Sequence, residues 1–143
     1  MKNHGVVCVR VLLVVGFFTA AAPASGEPIN VLSLQEGACA VVVPPTYGNW
    51  NAENLLDDSP QTGWACESGH TTDNVFVFEL IGTTTLERFE FDNASVDAEG
   101  AGAKDILVEV STTSPQEGFT PALEVTLADK TDQQSFPDRK SVM

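Results

Sequence analysis

Short segments in which apolar and polar residues alternate set the limits on what this chain can fold into. Asn74–Leu80 places Phe76 and Phe78 on one face, and Asp105–Ser111 repeats the pattern. A period of two residues is the signature of a β-strand with one buried face. Further strands are predicted at 29–34, 38–43, 86–91 and 123–127, and one helical turn at 52–56. With almost no helical periodicity, this pattern predicts an all-β sandwich or jelly roll of six to eight short strands.

The N-terminal segment has the composition of a secretory signal. Lys2 and Arg10 give it a basic start, Val11–Ala22 is apolar, and small residues follow. The apolar run is short for a membrane span, so we predict a signal peptide over 1–26 and one domain over 27–143. An uncleaved N-terminal anchor is the alternative. The predicted location is therefore secreted, or in the periplasm or cell envelope.

The charge balance excludes some partners. The chain has 7 basic and 20 acidic residues, a net charge of −13. Removal of the signal takes away Lys2 and Arg10, which leaves 7 − 2 = 5 basic residues and a net charge of 5 − 20 = −15. Such a chain is repelled by nucleic acid and by anionic membranes. Neutral glycans, cationic partners and divalent cations remain compatible, and the predicted partner is a glycan or an extracellular protein. A purely solubilising acidic surface is the alternative.

Two cysteines remain after the predicted cleavage. Cys8 leaves with the signal, while Cys39 and Cys66 stay in the domain. An even pair in an oxidising compartment predicts a disulfide, which would stabilise the fold by roughly 3 kcal/mol through loop closure. Two buried free thiols are the alternative. No third and fourth ligand lies near the pair at the spacing typical of a zinc site, so a zinc site is not predicted.

A search for catalytic motifs finds little. His70 is the one histidine of the predicted domain, and no nucleophile elbow is present. Cys66 lies four residues before His70, which is weak support for a thiol nucleophile. We therefore predict that the chain is not an enzyme.

The stretch from Trp50 to Trp64 carries a family resemblance. The motif A-x-N-L-L-D-D-x-x-x-T-x-W at 52–64 resembles the opening signature of discoidin domains, also called coagulation-factor type C domains, of the galactose-binding-like superfamily. Segments similar to later strands of the family follow in order: V-F-E-L at 77–80, L-x-x-F-x-F at 86–91 and K-D-I-L-V-E-V-S at 104–111. The resemblance extends from about Ile29 to Phe136.

The resemblance implies an eight-stranded jelly roll and a non-catalytic binding module. Many family members hold a structural Ca²⁺, which here would take the Asp57 carboxylate, the Ser59 carbonyl and Thr62 as ligands. A plain turn without a cation is the alternative for these residues. The sequence departs from the family at Asp58, where glycine is usual. It also lacks a counterpart of the family's closing strands, so the sandwich is predicted to be incomplete at its C-terminus.

Ligand specificity in this family belongs to variable loops at one end of the roll. Four loop residues have side chains that could stack on a sugar or insert into a surface: Tyr47, Trp50, His70 and Phe119. Packing against the rim of the sandwich is the alternative role for each. The leading hypothesis is a secreted module that binds carbohydrate or another extracellular surface ligand. The alternatives are a structural or adhesion module that contacts proteins of the envelope, and an accessory fragment of a larger secreted hydrolase.

Overall fold

The computed structural model describes residues 8–15, 29–82, 85–93, 102–129 and 133–137, and it is essentially all β. Within these residues the strands are β1 Cys8–Val15, β2 Cys39–Val42, β3 Asn74–Leu80, β4 Arg88–Asp92, β5 Asp105–Ser111, β6 Thr120–Thr126 and β7 Gln133–Pro137. A single 3₁₀ turn, Ala52–Leu55, precedes β3. The all-β prediction is therefore confirmed, and the finer jelly-roll arrangement stays a prediction.

The strands form a five-stranded sheet and a two-stranded sheet. The larger sheet has the order β2-β3-β1-β5-β6, and the smaller one pairs β4 with β7. β1 is parallel to both β3 and β5, whereas the other pairs are antiparallel. β3 and β5 run in the same direction, and β1, which lies between them, runs in that direction too. Among the described strands of the larger sheet, the pairs that β1 makes are therefore the parallel ones, and the remaining pairs are antiparallel.

The core lies where the two sheets face each other. Phe76 and Phe78 of β3 and Val108 of β5 are each 1% exposed, and they share a cluster with Phe89 of β4. Burying one such side chain stabilises a fold by about 1.5–3 kcal/mol. Trp64 packs edge-on against Phe76 with ring centroids 4.8 Å apart, and it is one of the partly buried side chains around this cluster. A core shared by both sheets is consistent with a β-sandwich.

The strands with clean alternation are the ones that the sequence places correctly. β3 and β5 have the predicted bounds. β4 begins at Arg88 rather than at Leu86, in line with Leu86 being out of phase with the pattern. Where the face of a strand is buried, the period of two fixes both its extent and its register.

The predicted strand at 29–34 is wrong. These residues form bends and the start of a turn. The Asn30 side-chain oxygen accepts a hydrogen bond from the Leu32 N–H at 3.2 Å, and the Ser33 hydroxyl accepts one from the Gln35 N–H at 3.1 Å. Asn and Ser side chains that bond nearby backbone groups in this way compete with strand pairing.

The N-terminal segment has an unexpected place. Cys8–Val15, part of the predicted signal, forms the central strand β1. The rest of 1–26 lies outside the described residues, so the predicted signal peptide itself stays a prediction. In the described part of the chain, no helix is long and apolar enough to cross a membrane.

Candidate functional site

The Asp57–Thr62 turn brings the three predicted cation ligands together. Thr62 Oγ1 lies 2.9 and 2.8 Å from the two carboxylate oxygens of Asp57 and 3.1 Å from the Ser59 carbonyl oxygen. The Ser59 N–H donates to Asp57 Oδ1 at 2.9 Å. Because the Thr62 hydroxyl carries one proton, it donates to one of these oxygens at a time. The three residues thus form a small cluster of converging oxygens.

Asp58 has a separate role in the same turn. Its φ of 58° is left-handed, a conformation that glycine adopts without strain and that Asp tolerates better than most residues. Its carboxylate accepts hydrogen bonds from Asn30 Nδ2 and Ser33 Oγ, both at 2.6 Å. Asp58 therefore adopts the left-handed conformation of the turn and also ties the turn to the segment before β2 through its side chain.

Asn54 and Leu56 hold the stretch from Trp50 to Trp64 in place. Asn54 Nδ2 lies 2.9 Å from the Gly63 carbonyl oxygen and 3.2 Å from that of Asn49, so it links the two ends of the stretch. Leu56 is fully buried and its carbonyl accepts from the Leu34 N–H at 2.8 Å. Asn54 belongs to the motif at 52–64, but its position in that motif does not indicate that it bonds the carbonyl oxygens of Asn49 and Gly63.

The oxygens of this turn are of the kind that calcium binds, but there are fewer of them than calcium usually takes. Carboxylate, carbonyl and hydroxyl oxygens are the ligands that Ca²⁺ prefers, but it takes about six to eight of them. Asp57 is the only carboxylate of the set, since that of Asp58 bonds Asn30 and Ser33. Among the described residues, no group of three or more His, Cys, Asp and Glu side chains could hold a metal ion. Water would have to supply the remaining ligands.

Two loops form a second candidate region, which we call the paired loops: residues 45–50 and 65–70. Thr46 and Cys66 form an isolated antiparallel bridge. The Tyr47 N–H donates to the Ala65 carbonyl at 2.9 Å, and the Ala65 N–H donates to the Trp50 carbonyl at 3.2 Å. Backbone hydrogen bonds of this kind fix the two loops relative to each other.

Three of the four predicted ligand-binding residues lie on the paired loops. The side chain of Tyr47 is 63% exposed, Trp50 is half-buried and His70 is exposed. His70 Nε2 lies 3.7 Å from the Glu67 carboxylate, a solvent-exposed contact. Exposed aromatic rings with a polar tip offer both an apolar face and a hydrogen-bonding group to a ligand.

Phe119 lies elsewhere. It is half-buried and packs against Val77. Val77 alternates with Phe76 and Phe78 along β3, so it faces away from the shared core. Trp64, next to the paired loops, contacts Phe76 on the core side. Phe119 therefore lies on the face of β3 opposite to the contact between Trp64 and Phe76.

The predicted disulfide is not formed, and the topology gives the reason. Cys39 and Cys66 are free thiols. Cys39 begins β2 opposite Glu79, at one end of β3. Cys66 lies opposite Thr46, beyond the other end of β2. A disulfide requires α-carbons within about 7 Å, which the length of β2 prevents.

Comparison of this chain with protein-family models, with curated proteins and with solved structures gives no match. The resemblance to discoidin domains rests on the quoted motifs, and it stays a prediction.

Proposed function

We propose that this chain is a secreted or envelope-located, non-catalytic binding module of the jelly-roll type that binds carbohydrate through the paired loops. The observation that carries the proposal is the exposure of Tyr47 beside Trp50 on a loop fixed by backbone hydrogen bonds to Ala65. The predicted secretory signal and the resemblance to discoidin domains support it.

The physical argument is preorganisation. A ligand that meets a loop already held in one conformation pays little of the ordering cost that weakens binding. Tyr47 and Trp50 each add a rigid ring with few rotatable bonds and a hydrogen-bonding group. The acidic balance of the domain favours neutral over anionic glycans.

Glycan-array binding followed by affinity electrophoresis of the whole chain tests the proposal. Tyr47→Ala and Trp50→Ala should each weaken retention by up to about tenfold, the effect of losing one aromatic contact. Ile81→Ala is the matched control, because Ile81 is 73% exposed and lies outside the paired loops. Absence of glycan retention with and without Ca²⁺ would refute the proposal, as would retention unchanged in both loop variants.

A structural Ca²⁺ at the Asp57–Thr62 turn belongs to the same proposal. The convergence of the Asp57, Ser59 and Thr62 oxygens supports it. The ion would fix the turn and would take no part in ligand chemistry.

A second candidate function, adhesion to proteins, is favoured by the edge of the larger sheet. β2 is an edge strand, and Val41, Val42 and Val43 are each 41–48% exposed. Exposed apolar edge strands are suited to pairing with a strand of another protein. Val42→Lys should abolish adhesion to a protein-coated surface and leave glycan retention unchanged, whereas Tyr47→Ala should do the reverse.

A further inference from the structure

The position of β1 defines a slot in the larger sheet. Seven residues of β1, Val9–Val15, pair in parallel register with β3, and seven, Cys8–Val14, pair with β5. No strand other than β1 joins β3 to β5 among the described residues. Without it, the larger sheet would divide into the pairs β2-β3 and β5-β6.

At the centre of the slot, the walls are buried on both faces. At the level of Val11, the neighbours are Phe76 and Val108, each 1% exposed. At the level of Leu12, they are Val77 and Glu109, which are 4% and 7% exposed. A strand buried on both faces needs apolar residues at consecutive positions rather than at alternate ones.

The segment that fills the slot meets this requirement and is also predicted to be removed. The sequence C-V-R-V-L-L-V-V at 8–15 is apolar at every position but one, like the core of a secretory signal. After cleavage of 1–26, the facing edges of β3 and β5 would keep N–H and C=O groups without strand partners in a buried part of the sheet. Such groups are costly to leave unpaired.

We propose that the gap between β3 and β5 is a strand-binding site, occupied by Cys8–Val15 in the precursor and by an extended apolar strand of a second polypeptide after processing. The occupant contributes about seven residues that pair with both edges and are apolar at nearly every position. This mode of recognition adds a strand to a sheet through main-chain hydrogen bonds, with side-chain pockets that give specificity. The inference rests on the predicted signal cleavage and not on carbohydrate binding by the paired loops.

An exchange experiment on the full chain tests the site. A specific protease site inserted between Val15 and Ile29 allows the purified protein to be nicked, unfolded and refolded with a labelled peptide. The peptide has the sequence of residues 8–15 with Cys8→Ser and solubilising lysines at both ends. The matched control peptide also carries Leu12→Pro, which removes a main-chain donor in the middle of the strand.

Incorporation of the parent peptide in a one-to-one complex by native mass spectrometry is the expected result. The proline peptide should be retained at least about tenfold less. Backbone amides of β3 and β5 should exchange with deuterium slowly when the parent peptide is bound and faster when it is absent. If the nicked chain precipitates alone, rescue by the parent peptide but not by the proline peptide supports the site as well.

Several outcomes would overturn the proposal. One is slow exchange of β3 and β5 amides without peptide, because the two strands would then pair with each other. Another is equal binding of both peptides, or precipitation that neither peptide prevents. The last is a secreted chain whose intact mass retains residues 8–15, since its own strand would then fill the slot permanently.

Discussion

The centre of the larger sheet and the Asp57–Thr62 turn are held together by different kinds of contact. In the sheet, Phe76 is buried among side chains from several strands, and the backbone pairs over whole strand lengths. In the turn, Asp57 and Thr62 are five residues apart and bond through their side-chain oxygens. The sheet therefore depends on apolar burial between distant parts of the chain, whereas the turn depends mostly on local polar chemistry. Variants in each region should differ accordingly in their effect on stability.

The largest expected effect lies in the sheet. Phe76→Ala should lower the free energy of unfolding by about 3–5 kcal/mol, because it leaves a cavity between Trp64 and Phe78. Urea unfolding followed by Trp fluorescence measures the loss. Ile81→Ala, at a 73% exposed site, is the control and should change stability by less than about 0.5 kcal/mol. If the two substitutions cost the same, the placement of Phe76 in the core is wrong.

Asp58 links the turn to a distant segment, so its loss should rank second. Asp58→Ala removes the acceptor for Asn30 and Ser33 and places an alanine at φ 58°. We expect a loss of about 2–3 kcal/mol from two hydrogen bonds and left-handed strain. Asp58→Gly loses the same bonds without the strain, so it should cost about 1 kcal/mol less. Equal midpoints in urea for the two variants would show that the backbone at this position is not left-handed.

Calcium should act on the turn and not on the sheet. If the affinity lies in the millimolar range of extracellular modules, about 10 mM Ca²⁺ should stabilise the chain by roughly 1–2 kcal/mol and raise the Tm. Asp57→Asn should abolish this shift because it removes the only carboxylate of the set. Glu67→Gln, at an exposed acid outside the turn, should keep it. A Tm independent of Ca²⁺ in the parent chain would refute the calcium proposal.

The smallest effect is expected at a surface ion pair of the second sheet. Arg88 Nε lies 2.7 Å from Glu90 Oε1, with side chains 44% and 36% exposed. Exposed pairs of this kind contribute about 0–1 kcal/mol, so Arg88→Ala should shift the urea midpoint very little. The residual effect should shrink further in about 0.5 M salt, which screens exposed charges. A loss comparable with that of Asp58→Ala would show that the pair is part of a larger buried network.

Sequence patterns predicted the strands with regular alternation and failed where side chains bond to backbone. β3 and β5 have the predicted bounds because their core-facing side chains recur with a period of two. Residues 29–34 are apolar enough for a strand, but the bonds made by Asn30 and Ser33 turn the chain. Both residues also bond Asp58, which lies far along the sequence, so no local window contains the deciding contacts.

For the same reason, the sequence predicted the contacts within the Asp57–Thr62 turn but not the position of Phe119. The spacing of Asp57, Ser59 and Thr62 is local, and the predicted cluster of oxygens is present. The position of Phe119 behind β3 depends on how a long loop returns to the sheet. No pattern in the neighbourhood of that residue encodes its contact with Val77.

The sequence by itself determined the all-β class, the bounds of β3 and β5 and the chemistry of the Asp57 turn, because each depends on residues close together in the chain. Only the tertiary structure decided that Cys39 and Cys66 stay apart and that Cys8–Val15 lies between β3 and β5. A continuous apolar run satisfies both a secretory signal and a strand buried on both faces. The partners that distinguish the two belong to strands far away in the sequence.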